Sequence, residues 1–129
     1  MTVQLSVAVR NARLDQIEVA IGTGPTLRIY TATQPADCTI ADTATKLVED
    51  ILPSDWLAAA SGGTKALSGT WSSVALATGT AGYFRIYTGG TCHMQGSVGP
   101  SGDIVLSTSL LAIGQTVTIT AFNMTDANA

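Results

Sequence analysis

The chain has 129 residues, 46% of them hydrophobic and only 12% charged, which is one domain's worth of sequence with a surface covered by Thr, Ser, Ala and Gly rather than by ions. Six Lys and Arg stand against nine Asp and Glu, without a basic run, so no electrostatic footprint for phosphates exists and nucleic acid is excluded as an expected partner. A net charge of −3 also does little to keep copies apart, and self-association is the corresponding expectation.

In chain order, SVAVRNARLDQIEVAIG predicts an amphipathic helix within an N-terminal segment 1–22. Ser6 can cap it, Val7, Leu14, Ile17 and Ile21 fall near one stripe, and Gly22 supplies the stop. Arg10, Arg13, Asp15 and Glu18 lie mostly off that stripe. A β domain is expected over residues 23–124, opening with TLRIYTAT, where Leu27 and Ile29 alternate with Arg28 and Tyr30. KLVEDIL is too short to show a period and reads as strand or short helix, with strand favoured. PSDWLAAASGG predicts a short helix near residues 54–61, entered at Pro53 or Ser54 and ended by Gly62 and Gly63.

Short β-like pieces separated by Gly follow: TWSSVALAT, GYFRIYT, CHMQGSV, DIVLSTSLL and QTVTITAFNM. The expected fold is therefore mainly β: an antiparallel sandwich of jelly-roll-like form, or a small barrel, in a single domain 1–129 with a frayed tail at 125–129. In YFRIYTGGTCHM, Phe84 and Ile86 should face inward and Tyr83, Arg85 and Tyr87 outward, with TGGT as a tight return. LRIYT at 27–31 and FRIYT at 84–88 form an internal echo, each followed by a cysteine.

No apolar run approaches the roughly 20 residues that span a bilayer, and MTVQLSVAVRNARLD lacks a charged start before a hydrophobic block. No membrane segment is expected, and the chain is expected to remain in the cytosol. In that reducing compartment Cys38 and Cys92 are expected as free, partly buried thiols.

Reactive letters are sparse. His93 is the only histidine and neighbours Cys92, but adjacent strand residues point to opposite faces, so a Cys-His nucleophile is not expected. Zinc normally takes four Cys or His ligands and the chain owns three such residues. Asp37, Asp42, Glu49, Asp50 and Asp55 lack the spacing of a calcium loop, and the neighbours Glu49 and Asp50 matter for acid chemistry only if they lie on a strand with one facing inward. Catalytic, metal and cofactor sites are thus all expected to be absent. Tyr30, Tyr83, Tyr87, Trp56 and Trp71 could instead supply stacking platforms for a sugar or a partner chain.

The blocks VRNARLDQIEVAIGTGPTLRIYT, LPSDWLAAASGGTKALSGTW, GTAGYFRIYTGGTCHMQGSVG and GQTVTITAFNMTDANA, in this order, cover nearly the whole chain. They resemble a family of small virion-associated proteins encoded among the head and structural genes of tailed bacteriophages. The resemblance implies a structural protein, made in the host cytoplasm, that sits on the capsid surface as a decoration or cement protein. Its partners would be the major capsid protein lattice and further copies of itself, as a homodimer or homotrimer. Contacts are expected from Arg10, Arg13, Leu14 and Ile17 of the helix or from the Tyr83, Arg85 and Tyr87 face. A tail or fibre module that stacks tyrosines on a host glycan is the alternative, and an enzyme such as a cell-wall hydrolase a distant third.

Overall fold

Ser6 and Gly22 bracket the helix as their chemistry dictates. In the computed structural model, which describes residues 3–106 and 108–126, helix α1 runs Val7–Ile21. The Ser6 hydroxyl accepts the Val9 N–H at 3.3 Å, and Gly22 leaves the helix at a φ of 97° that a β-carbon would disfavour. The last carbonyls are not left orphaned: Thr88 donates its hydroxyl to Ile21 and Trp56 its indole N–H to Gly22.

Among the described residues eleven strands follow: β1 (Thr26–Tyr30), β2 (Lys46–Ile51), β3 (Thr64–Ala66), β4 (Ser72–Val74), β5 (Gly79–Thr80), β6 (Tyr83–Thr88), β7 (Thr91–Gly99), β8 (Ile104–Val105), β9 (Leu110–Leu111), β10 (Thr116–Thr118) and β11 (Ala121–Thr125). Seven form one sheet in the order β2-β1-β6-β7-β8-β11-β3, and β10-β4 and β5-β9 form two small sheets. The protein is mainly β with one N-terminal helix and a sandwich-like build. Its main sheet is mixed, because β7 and β8 run parallel while its other pairs are antiparallel. Among the described residues no helix is long and apolar enough to cross a membrane.

The period of two places Leu27, Ile29, Phe84 and Ile86 on one face of β1 and β6, where they join Trp56, Trp71 and Phe122 in the apolar core. Phe84 meets Phe122 edge-on at 5.6 Å and Trp71 lies 5.5 Å from the same ring. The echo noticed in the sequence is a real neighbourhood, since the two copies pair antiparallel with Arg28 opposite Arg85 and Ile29 opposite Phe84. Two cations directly opposite repel, and each is led away: Arg28 bonds Glu49 at 2.9 Å and lies over the Tyr87 ring, while Arg85 turns to other acceptors.

Two expectations fail. No helix forms at 54–61; the segment is extended and runs against β3, with Leu57 bridging Leu67, Ser61 bridging Thr64, and Ala58 N–H bonded to the Ala66 carbonyl. Gly62 and Gly63, at φ of 60° and 76°, turn a hairpin instead of ending a helix. Three alanines carry too little propensity for so short a helix to outweigh pairing and the complete burial of Trp56. Nor is the tail free from residue 125: Thr125 ends β11, and Asp126 donates its N–H to the Gly63 carbonyl and pairs with Arg13. Residues 127–129 lie outside the described residues.

Candidate functional site

Both faces of β6 are covered, so Tyr83, Arg85 and Tyr87 do not form the expected outward contact face. The segment from Thr31 to Thr45 folds over them. Arg85 is 2% exposed. It donates from Nε to Gln95 at 3.2 Å, from Nη1 to the Tyr87 hydroxyl at 3.4 Å, and from Nη2 to the carbonyls of Asp37 at 3.2 Å and Ile40 at 2.7 Å. Gln95 donates in turn to the Pro35 carbonyl at 2.7 Å. Tyr30 and Tyr83 stack at 5.0 Å, and burial raises the pKa of both phenols. Alternation predicted which side chains share this face and could not reveal that a connection lies on top of it.

Cys38 and Cys92, expected as free thiols, form a disulfide with Cα atoms 5.4 Å apart. Local geometry makes the pairing reachable. The Gly89-Gly90 turn, with φ of 60° and 81°, sets Thr88 opposite Thr91 and Tyr87 opposite Cys92, which places the cysteine on the face of Arg85 and Gln95. The register then slips by one residue at His93, so Met94 returns to the Ile86 side. His93 is exposed on that bulge and the neighbouring sulfur is oxidised, which leaves the pair no nucleophile.

The four helix residues expected at an interface face the protein's own β structure or its C-terminal end. Leu14 is buried and Ile17 packs on the core cluster. Arg10 reaches the Asp126 carbonyl at 3.1 Å and Arg13 its carboxylate at 3.2 Å. The helix docks with polar groups as much as apolar ones: Asn11 accepts the Gly63 N–H, and Asp15 accepts from the Ala60 N–H and from Lys65 Nζ. Charge is therefore buried after all, since Lys65 lies under the helix.

What α1 presents to solvent is a stripe of Ala8, Val9, Ala12, Gln16, Val19 and Ala20 that carries no charge, flanked by the exposed side chain of Arg13 and the half-exposed one of Asp15. Val19 is 71% exposed. A second group of exposed aliphatics, Val74, Leu76, Leu110 and Ile113, belongs to the small sheets and the turn that Gly114 closes on Ala75. The stretch from Ala66 to Thr125 that carries them has only Arg85 and Asp103 as charged residues, and the charges beside β4 come from β2, which carries Lys46, Glu49 and Asp50. Both surfaces were missed because small and aliphatic letters read as interior; the charge-poor stretch of sequence was the available signal.

The acids do not converge. β2 is a strand, and Asp50, paired with Leu27, lies on the core side, where burial raises its pKa. Glu49 points to the other face, held by Lys46 and Arg28, which lower its pKa. Asp37 is capped by the hydroxyl and N–H of Thr39, which lower its pKa. Glu18 and Asp55 line a shallow depression of about 420 Å³ with Val19, Gly22, Thr23 and Ser54, but Glu18 is turned toward Lys65 at 3.6 Å. All seven aromatic residues, two Trp, three Tyr and two Phe, are buried. No protein-family model, curated protein or solved structure matches the chain.

Proposed function

We propose that this protein is a virion structural component of a tailed bacteriophage, a decoration protein that binds the outside of the assembled capsid and acts through complementary surfaces repeated over the shell. The observation that carries the reading is the pair of exposed aliphatic patches, the uncharged stripe of α1 between Arg13 and Asp15 and the small-sheet aliphatics, whose own side chains carry no charge. Burying such surfaces against a lattice removes apolar area from water without desolvating charges. The sequence resemblance supplies the identity of the lattice. The contact assignment moves from Arg10, Arg13, Leu14 and Ile17 to Val9, Ala12 and Val19, because the first set is engaged within the chain.

Binding to a host glycan loses the feature that favoured it, since no ring is available to stack on a sugar. The test is reconstitution. Purified protein is mixed with capsids lacking it, and bound copies per particle are counted for the natural chain and for Val9→Lys with Val19→Lys. The reading expects occupancy across the lattice for the natural chain and loss of binding for the variant at unchanged Tm. A handful of copies per particle would point to the tail instead.

A further inference from the structure

The segment between β1 and β2 is a lid without an apolar root. At its base the Thr31 N–H donates to the Thr45 carbonyl at 3.0 Å and the Thr45 N–H to Thr31 Oγ1 at 3.2 Å. Between those points no residue belongs to the buried core cluster, and Ile40, its largest aliphatic side chain, is exposed. What holds the lid down is polar or covalent: Arg85 on the carbonyls of Asp37 and Ile40, Gln95 on the Pro35 carbonyl, and the bond between Cys38 and Cys92.

The surface beneath is equally telling. It consists of Tyr30, Tyr83, Tyr87, Arg85 and Gln95, whose polar tips water can satisfy once the loop carbonyls leave. On the other side of the same strands, Leu27, Ile29, Phe84 and Ile86 are packed in the core and hold the sheet independently of the lid.

We propose that the Cys38–Cys92 disulfide is a redox latch: a dithiol reductant releases residues 31–45 as a unit, leaves the sheet folded, and bares Arg85 with Tyr83 and Tyr87. Both sulfurs belong to half-buried residues, within reach of a small reductant. A thiolate of the dithiol attacks one sulfur and expels the other cysteine, which takes up a proton. The second thiol of the reductant then closes on the mixed disulfide and frees the remaining cysteine. Two electrons and two protons end on Cys38 and Cys92, and the reductant departs as its own disulfide. This device is independent of the proposed virion role, because its residues belong to β1, β6, β7 and the segment 31–45 rather than to the helix, and it needs no lattice.

Hydrogen exchange by mass spectrometry on the full chain tests it, comparing the oxidised form, the form held in dithiothreitol, and Cys38→Ser with Cys92→Ser. The Thr39 and Ile40 amides, whose bonds to Asp37 the lid's seat on Arg85 holds in place, should exchange roughly tenfold faster or more in the reduced and doubly substituted chains, while β1, β6 and β7 keep their protection. Nitration of Tyr83 and Tyr87 by tetranitromethane should rise in parallel. Unchanged exchange of the lid on reduction overturns the proposal, as does loss of protection across β6 and β7 together. A doubly substituted chain as protected as the oxidised one overturns it as well.

Discussion

Lys65 is 1% exposed beneath α1, with its ammonium 2.7 Å from Asp15 Oδ1, 2.8 Å from the Ala58 carbonyl and 3.6 Å from Glu18 Oε1. Truncation to alanine removes a packed stem and strands the acids above it, so Lys65→Ala should cost about 2–4 kcal/mol in urea denaturation. Lys65→Met should cost less, because the stem survives and an apolar replacement of a buried ion often comes close to neutral. The hydrogen bonds from Lys65 and the Ala60 N–H hold the Asp15 carboxyl below its usual 3.8. A lowered folded pKa means stabilisation that is complete above the unfolded value and is lost as pH falls through the folded one. Lys65→Ala should therefore also flatten the acid decline of Tm. Asp50 has the opposite sign: burial raises its pKa, so the ionised form opposes folding and protonation relieves it. Asp50→Asn should raise Tm at pH 7, and the gain should disappear as pH falls through the raised pKa of the natural carboxyl.

At the scale of elements, the β6–β7 hairpin separates residues that determine geometry from those that ride on it. His93→Ala should leave the disulfide formed and change stability by no more than about 0.5 kcal/mol, because the side chain is exposed on a bulge. Gly90→Val should cost about 1–2 kcal/mol although nothing lies within 4 Å of the added carbon, since a φ of 81° is strained for a β-branched residue. Denaturant midpoints of the two variants check both. Strands with a clear period, the capped helix and the Gly-Gly return were legible because each follows from a local rule. The extended arm at 54–61 was not, since its hydrogen bonds come from β3 and its burial from Trp56, partners that local propensity does not contain. The covering of Tyr83 and Arg85 was hidden for the same reason: the cover lies 45–48 residues away along the chain. The cysteine expectation failed by weighing compartment where the two-residue turn at Gly89-Gly90 already placed Cys92 on the outer face.

For the molecule as a whole, the disulfide closes a sequence separation of 54 residues, which by loop entropy is worth about 4 kcal/mol against the unfolded chain. Domains of this size have about 5–15 kcal/mol in total, so the reduced protein should stay folded at room temperature with a clearly lower denaturant midpoint. Urea titrations with and without reductant measure it. That margin is what allows a lid to lift while the sheet stays intact.

The distribution of basic residues has a consequence for proteolysis. Of six Lys and Arg only Arg13 is largely exposed, and Lys65 and Arg85 are enclosed in paired strands. Trypsin should clip the native chain within its first helix and then stall, leaving everything after Lys65 in one piece. Lifting the lid bares the Arg85 guanidinium without unpairing β6, so that bond should still resist; the appearance of a fragment starting at Ile86 would report a strand leaving its ladder.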